Sequence, residues 1–532
     1  MRSAMHRVTS LIPAVGSPEP LRHILSLCIV TRIMMILAII LSNICLPDHN
    51  ATGVYTFELE DIEVSNVWLS FTKWDAAYFL QIARNGYQFE SSFAFFPLYP
   101  LCINFVGIFI AKLTSLSDNI STIVAGVVVS NVCFVITVAL LWFLLKELQV
   151  TEKLRVYSVF LFCLNPANVF FASIYSESFY SCFAFGGMLF WEKRRYAMAL
   201  LLFLLASSTR SNGMFNVIFL LCHVVVKQLM TAFRIYQGNN HAGGYYFSFF
   251  WKGVMIGIAG CVCTLPYIMY SAYSHRHLCP KIVADGSIHA PILLSLFSPF
   301  EIFDANLSTS IDSESETVLF QCSDQSFIEV YGSIQYNYWN VGFMRYYSLK
   351  QLPNFFLASP VLLICGWILK HYFEIFSNCL KSTNSNQAYQ KYFKTLYMFL
   401  LDNGNMIPYL VHMMAVVLVA IFYSHIQIST RLIFSSCPLV CYHICHLIDC
   451  YDQSDNLIKA RQMLSSGSRL SVSRRESLDV SQSSKLTIVT GVENLLTSDC
   501  QPISNRFNAI LGYFIVFNVL GILMHPNSLP WT

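Results

Sequence analysis

The sequence predicts an all-α polytopic membrane protein, and three observations carry that expectation. Charged residues are only 12% of the 532 residues, hydrophobic residues reach 55%, and the mean hydropathy is +0.53. Soluble domains carry about 25% charge, so this chain lacks the polar residues to cover a water-exposed surface. Apolar runs of about 18 to 25 residues, the length that crosses a hydrocarbon core as a helix, recur along the chain. The net charge of +3 and pI near 8.0 come with no basic stripe, so nothing points to nucleic acid.

Taken in order, residues 1–23 form a cytosolic N-terminus and 24–46 an uncleaved signal-anchor helix, since no small-residue cleavage pattern follows Arg22-His23. Residues 47–93 make a first luminal loop. Transmembrane helices fill 94–273, with candidates near 94–113, 121–145, 155–173, 178–191, 196–209, 213–229 and 249–273. A large luminal loop occupies 274–353. More helices follow in 354–448 (354–371, 396–424 and 430–448), then a cytosolic flexible insert at 449–506. The last helix, near 507–524, lies in 507–532 with a luminal tail, for about eleven or twelve spans in all.

Lys193-Arg194-Arg195 marks a cytosolic turn, and the basic segments 227–234, 370–394 and 459–475 agree with it. This phase puts 174–178, 210–212, 274–353 and 425–430 on the opposite face. The 94–113 stretch, broken by Pro97 and Pro100, leaves a parity conflict. Sequons at Asn50, Asn119 and Asn306 add weak support for a luminal assignment. The Ser-rich stretch 452–500 reads as a solvated linker, within which Arg474-Arg475-Glu476-Ser477 resembles a basophilic kinase site.

Polar residues gather on the luminal face. Trp74, Tyr78 and Ile82 share one face of a short amphipathic helix that Gly86 terminates, placing Asp75 at membrane level. A carboxylate there suits general-base work on a hydroxyl; the plain alternative is a helix-start Asp stabilised by the dipole. Asn165-Pro166 breaks a span and frees backbone groups. Glu177 and Arg210 stand at luminal helix ends as interface anchors or headgroup ligands, with Asn212 beside them. Trp339, Asn340, Arg345 and Lys350 alternate with aromatics in the way that sugar and phosphate recognition requires. His425, Gln427 and Arg431 make a further polar cluster at a helix junction.

Some features read as packing. Cys437, Cys441 and Cys445 repeat every four residues inside an apolar run, which makes a helical stripe, not the paired knuckles of zinc ligation. Cys450, His443 and His446 share that segment, and no metal site is expected there. Cys279 and Cys322 share the large luminal loop and have the makings of a disulfide. Arg32 in the first span is expected to snorkel, and Gly253 and Gly257 to mark close helix packing.

In this order the clusters resemble the GPI mannosyltransferase 2 family (PIG-V), one of the GT-C membrane glycosyltransferases. The resemblance rests on Trp74-Asp75 with Phe93–Pro97, Asn165-Pro166-Ala167, Tyr175-Ser176-Glu177-Ser178 and Arg210-Ser211-Asn212-Gly213. It continues through Tyr338-Trp339-Asn340-Val341-Gly342-Phe343, Lys350-Gln351, His425-x-Gln427-x-x-Thr430-Arg431 and the terminal Leu529-Pro530-Trp531-Thr532. It implies a GT-C-like bundle in the endoplasmic reticulum membrane with a luminal active site. The implied reaction passes mannose from dolichyl-phosphate-mannose to the first mannose of a GPI precursor, in an α-1,6 linkage with inversion and no cofactor. Asp75 matches the catalytic acid of the first luminal loop. Trp74, Glu177, Arg210, Asn212, Trp339, Asn340, Arg345, Lys350, His425, Gln427 and Arg431 are then the substrate contacts. An accessory membrane subunit is compatible with this reading. The alternatives are another dolichyl-phosphate-sugar transferase, or a lipid transporter or scramblase without covalent chemistry.

Overall fold

The computed structural model describes residues 19–49, 66–236, 245–279, 326–382, 388–470 and 505–529. Among these residues there are helices and no strands. We label the main ones α1 (Pro20–Cys45), α2 (Asp75–Asn85), α3 (Leu98–Leu113), α4 (Asp118–Glu147), α5 (Glu152–Cys163), α6 (Glu177–Glu192), α7 (Tyr196–Thr209) and α8 (Asn216–Tyr236). There follow α9 (Tyr245–Leu278), α10 (Val330–Trp339), α11 (Leu352–Ser382), α12 (Ala388–Asn403), α13 (Ile407–Phe422), α14 (Ser429–Ser436), α15 (Val440–Leu470) and α16 (Asn505–Met524).

Every apolar stretch expected to span falls on helix, but the stretches are not equivalent. Six helices are long and apolar enough to cross a membrane, and two bent pairs raise the number to eight. The pairs are α12 with α13, bent by 92°, and the segment carrying α14 with α15, bent by 86°. The remaining four stretches are shorter. Helices α3 and α6 have 16 residues each, α7 has 14 and α5 has 12. At 1.5 Å per residue none reaches the roughly 30 Å of a hydrocarbon core. Pro100 sits in the first turn of α3, within the stretch that carries the parity conflict. By length and composition, six to eight helices among the described residues qualify as spans, where eleven or twelve were expected.

Helix α1 shows how such a bundle sorts its residues. Ile24, Cys28, Arg32, Met35 and Ile39 recur at helical spacing and are buried, while Ile29, Ile33, Leu37 and Leu41 on the other side are exposed as a lipid-facing surface would be. Arg32 therefore does not snorkel. It turns inward, bonds Asn168 and lies 4.0 Å over the Phe134 ring. The break at Asn165-Pro166 is closed locally: Asn165 accepts from the Ala167 N–H at 2.9 Å, and Asn518 on α16 donates to the freed Leu164 carbonyl at 2.9 Å.

Three further expectations change. Nothing lies within 4 Å of a Cβ built at Gly253 or Gly257, so that pair marks no helix packing among the described residues. The helix α15 runs on to Leu470, so 452–470 is helical where a flexible linker was expected. Cys279 is disulfide-bonded, and Cys322 lies outside the described residues. So do Asn50, Asn306, the 474–477 motif and residues 530–532. Asn119 sits in the first turn of α4, and Cys437, Cys441 and Cys445 pack in the core as expected.

Candidate active site

Helix α2 positions Asp75. Trp74 enters it at φ 60°, a region costly for a side chain other than glycine, and Asp75 takes the first helical position. Gly86 closes the helix at φ 74°, where glycine is the natural residue. The helix does not float at the interface as expected. Phe79, Leu80 and Ile82 are buried in protein, and Tyr78 stacks on Phe95 at 4.7 Å.

Glu177 and Arg210 meet because of a hairpin. Helix α6 leaves Glu177 and α7 returns to Arg210 over nearly the same length, with the turn Lys193-Arg194-Arg195 at the far end. Arg210 Nη1 lies 2.5 Å from Glu177 Oε1 and donates to the Ser176 hydroxyl at 3.2 Å. Gly213 lets the chain turn tightly after Arg210: an added Cβ would sit 2.4 Å from the Ser207 Cα. Asn212 donates to the Ser436 hydroxyl at 2.9 Å, which ties this turn to α14.

Helix α14 completes the cluster. Arg431 Nη1 donates to Asp75 Oδ2 at 2.6 Å and stands 3.5 Å from Glu177 Oε1. Four charges thus form a chain, Asp75–Arg431–Glu177–Arg210, with Glu177 fully buried and the Asp75 side chain 32% exposed. Two carboxylates against two guanidiniums balance, which is what makes burial of Glu177 tolerable. The Arg431 guanidinium also lies over Phe170 at 5.2 Å and Tyr175 at 5.6 Å. Several polar atoms here are buried without a hydrogen-bond partner, among them Trp74 Nε1, Arg431 Nε, Asn212 Oδ1 and Thr430 Oγ1. Orphaned groups of this kind are expensive unless a ligand satisfies them.

A second ring of residues stands beside this cluster. Trp339, at the end of α10, packs edge-on against Tyr78 (5.9 Å) and Phe95 (6.0 Å). His425 hydrogen-bonds the Trp339 carbonyl and stacks on Tyr346 at 4.5 Å, whose hydroxyl donates to Gln427 at 3.1 Å. Burial lowers the affinity of the His425 imidazole for a proton, and Arg431 reinforces this against the Trp339 carbonyl. Asn340 caps α10 in the left-handed conformation, at φ 54°. Arg345 lies 3.8 Å over the Tyr336 ring, and Lys350 is exposed on the following turn. No ion pair among the described residues joins either cation to Asp75 or Glu177.

Two residues of the surroundings carry no site role in the sequence reading. Tyr175 backs Arg431, and its hydroxyl lies 3.1 Å from His525 Nε2, 350 residues away. Burial, reinforced by the Asp75 charge, pushes the Tyr175 phenol up and keeps it protonated. The Tyr175 motif was visible in sequence; His525, a lone histidine beyond the last apolar run, gave no signal.

A family model described as mannosyltransferase (PIG-V) matches residues 21–532. The chain belongs to the PIG-V mannosyltransferase family. It is therefore an enzyme, a glycosyltransferase, and the transporter alternative falls away. Among curated relatives of the family, GPI alpha-1,6-mannosyltransferase 2 of Cricetulus griseus is 29% identical, covering 96% of this chain and 98% of that protein. The Homo sapiens protein of the same name is 28% identical with the same coverage. GPI mannosyltransferase 2 of Schizosaccharomyces pombe is 24% identical over 79% of this chain and 75% of its own. A solved Archaeoglobus fulgidus oligosaccharyltransferase superposes with a TM-score of 0.37 at 9% identity, covering 94% of this chain and 55% of that one, too distant a likeness to bear on the fold.

Proposed function

We propose that this PIG-V family member is a GPI alpha-1,6-mannosyltransferase that adds the second mannose of the GPI core, with dolichyl-phosphate-mannose as donor. The observation that carries the reading is the Asp75–Arg431 pair, a carboxylate and a guanidinium 2.6 Å apart at the rim of a buried charge cluster. The acceptor is the first mannose of the GPI precursor, and the step is one in-line displacement. Asp75 takes the proton of the acceptor hydroxyl as its oxygen bonds to C1. The C1–O bond to phosphate breaks, and dolichyl phosphate leaves with the electron pair. Arg431 offsets the phosphate charge as it develops, and its shift toward phosphate releases Asp75 Oδ2 for proton transfer. The orphaned Trp74 Nε1 and Asn212 Oδ1 suit sugar hydroxyls. Trp339 and Asn340 border the sugar, and Arg345 and Lys350 await the lipid headgroups from their exposed loop.

No metal or cofactor enters this scheme, since dolichyl phosphate is a good leaving group. The basic turn at Lys193-Arg194-Arg195, at the far end of the α6–α7 hairpin from Glu177, supports a luminal site in the endoplasmic reticulum membrane. The test is a microsomal assay with labelled dolichyl-phosphate-mannose and a one-mannose GPI precursor. Label should move onto the precursor. A requirement for a soluble sugar nucleotide in place of the lipid donor would overturn the reading.

A further inference from the structure

A second concentration of ligand-type side chains lies well away from Asp75. His371 lies nineteen residues into α11, about 28 Å along it at 1.5 Å per residue. His446 and Cys450 lie one helical turn apart on α15. Each of the three offers one ligand atom within 4.8 Å of the other two. We propose that His371, His446 and Cys450 bind a divalent transition-metal cation, zinc in the first instance, which staples α11 to α15.

The geometry is close to what such an ion requires. Ligands at positions i and i+4 share a helix face, the spacing that paired metal ligands use on helices. Tetrahedral zinc with bonds of about 2.3 Å to sulfur and 2.0 to 2.1 Å to nitrogen holds those two atoms about 3.6 Å apart. Cys450 Sγ and His446 Nε2 stand 3.8 Å apart. His371 Nε2 is buried without a hydrogen-bond partner, an orphan that a cation would satisfy. His443 lies on the same helix one turn before His446, is 2% exposed, and its Nε2 has no hydrogen-bond partner. Its Nδ1 faces the Tyr372 hydroxyl at 3.2 Å, which ties α11 to α15 beside the three ligands.

Asp449, next in sequence to Cys450, pairs with Lys153 at 3.2 Å. Cys450 is only partly buried, unlike Cys437, Cys441 and Cys445 on the preceding turns, so an ion can reach it. Binding forms an S–metal bond and releases the thiol proton to solvent. The consequence is architectural. The N-terminal end of α11 carries Asn354, which hydrogen-bonds Tyr346 at 2.7 Å, and α15 follows the bend after Arg431. A staple between them fixes the separation of two elements that frame the active site.

The test uses the full-length protein in detergent. Metal analysis should find one equivalent of zinc per chain, and cobalt substitution should give tetrahedral d–d bands with a thiolate-to-metal charge-transfer band. Cys450→Ser should abolish the charge-transfer band and His446→Gln should release the metal, whereas Cys261→Ser, at an exposed cysteine of α9, should retain both. If the variants fail to fold, the wild-type cobalt spectrum decides alone. A chain that holds no stoichiometric zinc, a cobalt spectrum without thiolate character, or metal retained in Cys450→Ser with an unchanged spectrum would each overturn the site.

Discussion

At the residue scale the fold depends on pairing charges that would be ruinous alone. Glu177 is fully buried and stands between Arg210 at 2.5 Å and Arg431 at 3.5 Å. Glu177→Ala would strip Arg210 of its carboxylate and leave two guanidiniums with Asp75 as the one counter-charge in the cluster. Loss of one partner from such a buried network costs about 3–5 kcal/mol, so thermal unfolding in detergent should show a large drop in midpoint. Glu177→Gln should keep the packing volume and lose less. The charged members of this cluster were legible in sequence, because Asp75, Glu177, Arg210 and Arg431 are scarce ionisable residues at helix ends. His525 and the inward turn of Arg32 were not. Both depend on long-range partners, Tyr175 and Asn168, that no spacing in the chain announces.

At the element scale two connections hold the site in register. The turn after Arg210 closes onto the backbone of Ser207, and Gly213→Ala would drive a Cβ to within 2.4 Å of the Ser207 Cα and 2.6 Å of its nitrogen. Backbone cannot rotate away as a side chain can, so the substitution should cost at least about 1–3 kcal/mol and lower transfer activity. Gly253→Ala, in open space, should change neither. The second connection is His425, which joins α10 to the segment carrying Arg431. Its folded-state proton affinity is lowered, chiefly by burial. The fold therefore binds fewer protons than the unfolded chain, and this contribution is complete above the unfolded value of about 6.5 and lost as pH falls below it. Thermal midpoints measured between pH 7 and pH 5 should fall more steeply for wild type than for His425→Gln.

The same scale shows why some elements were misread. The stretches 178–191 and 196–209 keep their lengths as α6 and α7, whereas 94–113 and 155–173 are shortened to α3 and α5 by the breaks at Pro97 and Asn165-Pro166. The Ser-rich tail of 452–500 masked Asn456-Leu457-Ile458-Lys459-Ala460-Arg461, a helix-favouring run that extends α15. The break at Asn165-Pro166 and the stop at Gly86 were readable, because proline and glycine act locally.

At the scale of the whole molecule, 12% charge is divided between two tasks. Basic turns such as Lys193-Arg194-Arg195 lie at one end of the short hairpins, and the Asp75–Arg431–Glu177–Arg210 chain lies at the other. A polytopic fold with a paired charge cluster at one rim suits chemistry on lipid headgroups held at the membrane surface. The central claim is that Asp75 takes the acceptor proton. It is tested most directly by single-turnover transfer from labelled dolichyl-phosphate-mannose to a one-mannose GPI acceptor, comparing wild type with Asp75→Asn at matched thermal midpoints. Asparagine still accepts from Arg431, so stability should fall by less than the roughly 3–5 kcal/mol of an unpaired buried charge, while transfer falls by about 10²–10⁴-fold. Transfer by folded Asp75→Asn at the wild-type rate would contradict the account.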